Sequence, residues 1–193
     1  MPIVQPVRRL PTTLPDTPFP DVARLTETLD RHGVDYLVIG GIATRAYGAE
    51  RPTGDFDCLV RRSVENFDRL AAAMRELNAH LRVGGLSDDE AAALPVQLDG
   101  LTLSRSQIST WTTDAGYLDV LVDMVNRQGH RQRYEDLEGA AEELTVAGVQ
   151  VRVAGLEDII ASKEHAGRPK DHEALPELYR LRDASTGDTS SGG

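Results

Sequence analysis

The stretch that decides the fold is YLVIGGIATRAYGAERPTGDFDCLV, residues 36–60. It begins as an apolar strand, breaks at Gly40-Gly41, and passes through a helix-like run and a polar loop. A second strand then opens with Asp55-Phe56-Asp57. Because residues two apart on a strand point to the same face, Asp55 and Asp57 project together while Phe56 turns into the core. Two carboxylates on one face after a glycine-rich turn suit divalent metal ions that carry a phosphate chain.

Length and composition bound the remaining possibilities. The chain has 193 residues and 40% hydrophobic residues, which suits one domain with a real core. Its single cysteine, Cys58, excludes an internal disulfide framework and a multi-cysteine zinc site. No apolar run is long enough to span a bilayer and no basic-then-apolar leader is visible, so we expect no membrane partner and a cytoplasmic location.

Three regions are expected along the chain. Residues 1–20 contain six prolines and predict an extended or disordered arm. Residues 21–183 alternate strands and helices, with hairpins among them. This order predicts an α/β (α+β) domain, a mixed sheet with packed helices and a helical C-terminal part. The Ser/Thr/Gly-rich residues 184–193 predict a disordered tail.

Individual elements follow from periodicity and capping residues. Helical patterns begin at Asp21, Ser63 and Ser87, each of which is a favourable N-cap. The expected strands are weak ones over 98–103 and 107–112, a strong one over 117–124 and a hairpin over 144–153. The expected helices lie over 134–143 and around Lys163, and a last helix ends near Leu181 with a kink at Pro176.

The glycine pair and the loop before Asp55 predict a phosphate site. Glycines free the backbone so that amides at a helix start, near Gly41, can meet phosphate oxygens. The aspartates then supply hard oxygen ligands for Mg²⁺ or Mn²⁺. The alternative is a surface aspartate pair on an edge strand, with the glycines acting only as turn residues.

A third carboxylate would complete a two-metal site, and two residues compete for the role. Asp119 and Asp123 both interrupt the apolar strand over 117–124, where an unpaired charge is costly. Alternation places them on the same face. We prefer Asp119 because it lies near the strand start beside a turn, and Asp123 remains the alternative.

Cationic residues cluster in two parts of the chain. Near the C-terminus, Lys163 lies on a helix that ends at Gly167-Arg168-Pro169-Lys170-Asp171, although Lys163 could simply snorkel and Asp171 could simply cap the last helix. Elsewhere, local basic stretches could hold phosphates despite a net charge of −10 and a pI of about 4.9, or could be solvated loop charge. Their arginines are Arg61, Arg62, Arg127, Arg131 and Arg133.

These motifs resemble a known family. The glycine pair, then Gly48, Arg51, Thr53 and the Asp-x-Asp, are similar to the signature of the nucleotidyltransferase fold. The later residues Leu156–Asp171 resemble the C-terminal motif of one branch, the AbiEii-like toxins, which includes the mycobacterial MenT toxins of toxin–antitoxin pairs. The strand with Asp119 also fits this branch.

The resemblance implies a function and a set of roles. A nucleotide would be transferred from an NTP to an acceptor, which among MenT relatives is the 3′ end of tRNA, with loss of aminoacylation as the result. A cognate antitoxin protein would be a partner. The residues and the resemblance together give these assignments: catalytic Asp55, Asp57, Lys163 and Asp171; metal-binding Asp55, Asp57 and Asp119; nucleotide-binding Gly40, Gly41, Thr53, Lys163, Arg168 and Lys170. Local charge makes the five arginines named above the candidates for RNA binding.

The sequence leaves three function classes open. The first is a toxin-type nucleotidyltransferase that acts on RNA. The second is an enzyme of the same fold that modifies a small molecule, as antibiotic nucleotidyltransferases do, or a protein. The third is a non-catalytic NTP-binding or partner-binding module, which the intact Asp-x-Asp disfavours. The local basic patches favour the first class over the second.

Overall fold

The computed structural model describes residues 19–188, so most of the predicted arm and the last five residues lie outside the described part. Nine strands are present within it. They are β1 (Tyr36–Ile39), β2 (Asp55–Val60), β3 (His80–Leu81), β4 (Ile108–Thr113), β5 (Gly116–Leu121), β6 (Met124–Val125), β7 (Arg131–Gln132), β8 (Glu142–Val146) and β9 (Val149–Val153).

Eight α-helices and one short 3₁₀ turn accompany the strands in the described residues. They are α1 (Val22–Arg31), α2 (Gly40–Ala46), α3 (Val64–Glu76), α4 (Asp88–Ala92), α5 (Gly100–Ser104), α6 (Tyr134–Leu137), the 3₁₀ turn Glu138–Ala140, α7 (Leu156–Ala166) and α8 (Pro169–Asp188). None of these helices has both the length and the apolar character needed to cross a bilayer.

Seven strands form one mixed sheet in the order β3-β4-β5-β2-β1-β9-β8. The pairs β2–β5 and β1–β9 are parallel, and the other pairs are antiparallel. Strands β6 and β7 form a separate two-stranded ribbon. The predicted mixed sheet with packed helices and a helical C-terminal part is confirmed.

Alternation along β2, β5 and β4 separates the core from the polar face. Phe56 lies opposite Leu118, and Leu118 lies opposite Trp111, and all three side chains are buried. Helices α1 and α3 add buried residues to the same cluster, namely Leu25, Leu29, Phe67, Leu70 and Met74. Asp55, Asp57 and Asp119 belong to the other face of these strands, and each is only partly buried.

The predicted helix starts are confirmed by their caps. Asp21 accepts from the backbone N–H of Arg24, Ser63 accepts from that of Asn66, and Ser87 forms a capping box with Glu90. These contacts satisfy amides that the first helical turn leaves without intrahelical partners. The hairpin over 144–153 is also confirmed, with Ala147 and Gly148 both at positive φ in its tight turn.

Three secondary-structure predictions are wrong in type or extent. Residues 98–103 do not form a strand, because Asp99 caps the short helix α5 through the backbone N–H of Thr102. The helix expected over 134–143 ends early, since Glu142 already pairs with Val153 in the sheet. The strand over 117–124 stops at Leu121, and the chain bends before β6.

Two expected boundaries also change. Helix α8 continues to Asp188, so residues 184–188 are helical and do not belong to a disordered tail. Pro176 lies inside that helix, as expected, and the kink at Pro176 stays a prediction. At the other end, Pro20 is buried against Gly116, and the N–H of Asp21 donates to the carbonyl of Ala115 at 2.8 Å. The last residue of the predicted arm is therefore packed on the domain.

Candidate active site

Three carboxylates lie side by side on two parallel strands. Asp57 of β2 is directly opposite Asp119 of β5, and Asp55 comes two residues before Asp57 on the same face. One oxygen of Asp119, Oδ1, is buried and has no hydrogen-bond partner within the described residues. A buried carboxylate oxygen without a donor is costly unless a ligand completes its environment. Three adjacent carboxylates with one unpartnered oxygen therefore indicate a site that binds a cation or a proton.

The glycine pair forms one wall of this site. Gly40 has φ 64°, and a Cβ there would lie 2.0 Å from Oδ2 of Asp57. A Cβ on Gly41 would lie 2.2 Å from Oγ1 of Thr53. Any larger residue would therefore displace the aspartate or the threonine. The backbone N–H of Gly41 donates to Asp57, so the turn both makes room for the carboxylate and orients it.

The carboxylates raise each other's pKa values. Burial is the main cause for Asp57, followed by the charges of Asp119 and Asp55, and together they raise its pKa to about 7. Burial and the charge of Asp55 raise the pKa of Asp119, although Arg82 and Lys170 oppose the rise. Like charges held close in a partly buried site disfavour ionisation. A divalent cation would remove this penalty.

Arg82 is a site residue that the sequence motifs missed. It follows β3 directly, and its side chain reaches across β4 and β5 to pair with Asp55, with Nη1 3.4 Å from Oδ1. On the way its guanidinium stacks on the Tyr117 ring, 4.4 Å from the centroid. No local pattern around residue 82 signals this role, because only the antiparallel pairing of β3 with β4, and of β4 with β5, brings it to the carboxylates.

Asp123 is held away from the three carboxylates. Both of its oxygens accept from Nη1 of Arg131 at 2.9 Å, and its side chain is only 13% exposed. Strand β5 has ended before it, so the expected alternation does not extend to this position. Of the two residues left open by the sequence, the structure brings Asp119 to the Asp-x-Asp.

The predicted C-terminal residues form a second charged cluster around Asp171. This carboxylate is fully buried and accepts from Nε of Arg168 at 2.6 Å, while Nζ of Lys163 lies 3.5 Å away. Burial alone would raise the pKa of Asp171, but hydrogen bonds and charge from Arg168, with Lys163, hold it below its usual value. Lys163 is 17% exposed, so it does not snorkel into solvent.

The junction of α7 and α8 connects the two clusters. Gly167, at φ 56°, ends α7 in the left-handed conformation, and α8 begins two residues later. The charge of Lys170 lowers the pKa values of both Asp57 and Asp119, and the pKa of Arg168 is raised by Asp57 as well as by Asp171. The cations of the junction therefore lie near the carboxylates of the sheet.

The five arginines that were predicted to bind RNA lie in different environments. Arg61 pairs with Asp35, Glu135 and Glu138 and stacks on Tyr134. Arg127 pairs with Glu164 of α7. The other three, Arg62, Arg131 and Arg133, line one surface pocket.

The three carboxylates fit a divalent metal ion, although they do not form a complete coordination sphere. Within residues 19–188, no group of three or more His, Cys, Asp and Glu side chains is close enough to hold a metal as a complete set. The unpartnered Oδ1 of Asp119, the glycine cradle of Asp57 and the mutual rise of the pKa values all favour a bound cation. Asp55, Asp57 and Asp119 are the residues that would hold it, with phosphate oxygens and water completing the set.

Comparison with protein families identifies the chain. Residues 27–180 match the family described as nucleotidyl transferase AbiEii toxin, of type IV toxin–antitoxin systems. The chain belongs to this family. It is thus a nucleotidyltransferase with a toxin domain of the toxin–antitoxin type, as the two sequence motifs predicted. A comparison with curated proteins finds no match.

Solved structures agree on the fold of this AbiEii family member. ANT(2″)-Ia in complex with adenylyl-2″-tobramycin is 19% identical, with a TM-score of 0.54, over 87% of this chain and 88% of that one. Lincomycin-bound LnuA, a lincosamide antibiotic adenylyltransferase, is 12% identical, with a TM-score of 0.53, over 83% of this chain and 96% of that one. At this level of identity the similarity concerns the nucleotidyltransferase fold alone.

Proposed function

We propose that the protein is a metal-dependent toxin that transfers an NMP group from an NTP to the 3′ end of tRNA and thereby blocks aminoacylation. The observation that carries the catalytic part is the register of β2 and β5. It sets Asp57 opposite Asp119 beside Gly40-Gly41, with one oxygen of Asp119 unpartnered. The choice of tRNA rests on the family resemblance.

Each group in the site has a part in the reaction. The acceptor hydroxyl oxygen forms a bond to the α-phosphorus, the bond from that phosphorus to the bridging oxygen breaks, and pyrophosphate leaves. Mg²⁺ or Mn²⁺ on Asp55 and Asp57 would neutralise the phosphates and lower the pKa of the hydroxyl. Asp119 would help to hold the metal through its unpartnered Oδ1, and the hydroxyl proton would pass to water.

The nucleotide is held by backbone and cations. Amides at the start of α2 would face the triphosphate, apart from the N–H of Gly41, which donates to Asp57. Lys170 forms no ion pair within the described residues and acts on the carboxylates through its charge, so it is free to bind phosphate. Asp171 fixes Lys163 and Arg168, which keeps two more cations at the α7–α8 junction in defined positions.

The partners follow from the family assignment. Type IV toxin–antitoxin membership supports a cognate antitoxin protein, and the enzyme class supports NTP as substrate. A cytoplasmic setting agrees with both, since NTPs and tRNA are available there.

The test is a transfer assay with total RNA, each labelled NTP in turn, and Mg²⁺ or EDTA. We expect label on RNA of tRNA size, at its 3′ end, only with the metal present. Subsequent aminoacylation of the labelled tRNA should fail, because the acceptor hydroxyl is covered. Loss of transfer in EDTA with full activity after Mn²⁺ addition would identify the metal requirement.

A second candidate is transfer to a small molecule or a protein. It is favoured by one observation, since Arg61, Arg127 and Arg131 already pair with carboxylates of this chain and are not free for RNA. In the same assay, label that appears on protein or on a small molecule and never on RNA would support this candidate. Bound NTP with no transfer to any acceptor would contradict both proposals.

A further inference from the structure

A pocket of about 640 Å³ lies near the end of β5, away from the carboxylates. Its lining combines three arginines with three acidic residues and one glutamine. They are Arg62, Gln107, Asp123, Arg131, Arg133, Glu135 and Asp136. Nothing in the proposed chemistry of the carboxylates uses this pocket, although three of the arginines singled out by the sequence meet there.

The acidic residues of the pocket already have partners. Asp123 accepts from Arg131, Glu135 pairs with Arg61 at 3.2 Å, and Asp136 accepts from the backbone N–H of Arg133 at 2.8 Å. Each carboxylate is therefore satisfied inside the protein.

Two arginines of the pocket are left available. The side chains of Arg62 and Arg133 have no ion-pair partner within residues 19–188, and the contact of Arg62 is the carbonyl of Ser104 at 3.4 Å. Arg131 is fixed in place by Asp123. A pocket with two unpaired guanidinium groups beside a third, fixed one suits an anion with several oxygens, such as a phosphodiester.

The pocket and the carboxylates lie along the same strands. Asp123 comes four residues after Asp119, just past the end of β5, so at most roughly 13 Å of chain separates them. Between them, Leu121 shares the face of Asp119 and pairs with Ile108, which is 61% exposed. The sheet face from the carboxylates to the pocket is thus open at Ile108 and partly apolar, as a surface for nucleobases needs to be.

We propose that Arg62 and Arg133, beside the fixed Arg131, bind the phosphate backbone of the acceptor strand, about four stacked nucleotides behind the hydroxyl that reacts at Asp57 and Asp119. This inference rests on the proposed RNA acceptor and adds where its strand lies. A 3′-terminal single strand fits this path, since its phosphates meet the pocket and its bases meet the exposed face of β4. The nucleotide site at the glycine pair remains separate.

The experiment measures binding of 5′-fluorescein RNA oligonucleotides of two to eight nucleotides by anisotropy, at several NaCl concentrations and without NTP. The test variant is Arg62→Ala with Arg133→Ala. Arg131 stays, because its removal would leave Asp123, which is only 13% exposed, without its partner. The control is Arg31→Ala with Arg180→Ala, which removes the same charge from exposed positions on α1 and α8.

The expected result is a weaker salt dependence of RNA binding in the test variant alone. Two lost phosphate contacts reduce the slope of log affinity against log salt by about 1.4 on single strands. The effect should begin at about four nucleotides, since shorter strands held at the carboxylates do not reach the pocket. The KM for NTP should stay unchanged.

Four results would overturn the inference, and only one of them would also overturn the proposed function. If the slopes of log affinity against log salt are equal in the test and control variants while RNA is still labelled, the pocket does not bind the RNA. An effect already present with dinucleotides would lead to the same conclusion. Competition by poly-glutamate as strong as that by RNA of equal charge would assign the pocket to an acidic protein. A wild-type protein that neither binds nor labels RNA would overturn both proposals.

Discussion

Asp119 and Asp123 are two aspartates four residues apart in one apolar run, yet the fold treats them in opposite ways. Both oxygens of Asp123 accept hydrogen bonds from Arg131, whose charge neutralises the carboxylate. Asp119 faces Asp57 across two paired strands and keeps a buried oxygen without a partner. The difference shows that a compensated charge supports structure, while an uncompensated one next to like charges marks chemistry.

The largest effect is expected for Asp57→Asn. It removes the central carboxylate and keeps the shape, so nucleotide transfer should fall by at least about a hundredfold, the scale of losing one preorganised charge contact. The unfolding temperature of the metal-free protein at pH 7 should not fall, because the substitution also removes like-charge repulsion. Labelled-nucleotide transfer and thermal unfolding measure the two quantities. Full activity in a folded variant would refute the site assignment.

The contrast itself is tested by Asp119→Asn against Asp123→Asn. We expect the first variant to lose about a hundredfold in activity without a loss of stability. The second should keep activity but unfold about 2–4 °C lower, because a partly exposed ion pair is worth about 1 kcal/mol. Transfer rates and melting curves of both variants decide the matter. The roles would be reversed if Asp123→Asn proved inactive and Asp119→Asn remained active.

A smaller effect is expected for Lys163→Ala. The side chain is mostly buried beside Asp171 and lies at the junction whose cations act on the carboxylates, so its loss should reduce turnover at least about tenfold. Arg168 still pairs with Asp171, which should keep the junction folded. Arg180→Ala, an exposed change on α8, is the control and should leave turnover unaltered. Normal turnover and normal NTP affinity in Lys163→Ala would make it a packing residue only.

The smallest effect is the pH dependence of metal-free stability. The pKa of Asp57 is raised from 3.8 to about 7, so the folded state binds a proton more tightly than the unfolded chain. Its contribution is fully present below about pH 4 and is lost as the pH rises through about 7. Melting temperatures from pH 4 to 8 should fall more in wild type than in Asp57→Asn. Saturating Mg²⁺ should remove the difference by binding the ionised form.

Much of the fold was predictable because its signals are local. Capping residues at Asp21, Ser63 and Ser87 and the turn at Ala147-Gly148 determine helix starts and one hairpin through neighbouring backbone groups. The wrong predictions arise where two such signals in the chain favour different structures. Asp99 turns an apolar run into a helix by capping it, and the pairing of Glu142 with Val153 ends the expected helix over 134–143.

The candidate site was predictable only where its residues share a motif. Gly40-Gly41 and Asp55-Phe56-Asp57 lie within 18 residues of each other, and strand alternation places both carboxylates on one face. Arg82 carries no such signal, although it reaches Asp55 and stacks on Tyr117. Its position depends on how β3, β4 and β5 pair, which no local pattern around residue 82 specifies.

By itself the sequence determined the strand–glycine–strand unit, the Asp-x-Asp pair and the family, because each depends on spacing between neighbours in the chain. Only the tertiary structure decided between Asp119 and Asp123, added Arg82, and separated the paired arginines from Arg62 and Arg133. The physical reason is that the energy of a charge depends on its burial and on its partners. Those partners come from strands and helices that are distant in sequence and meet only in the folded chain.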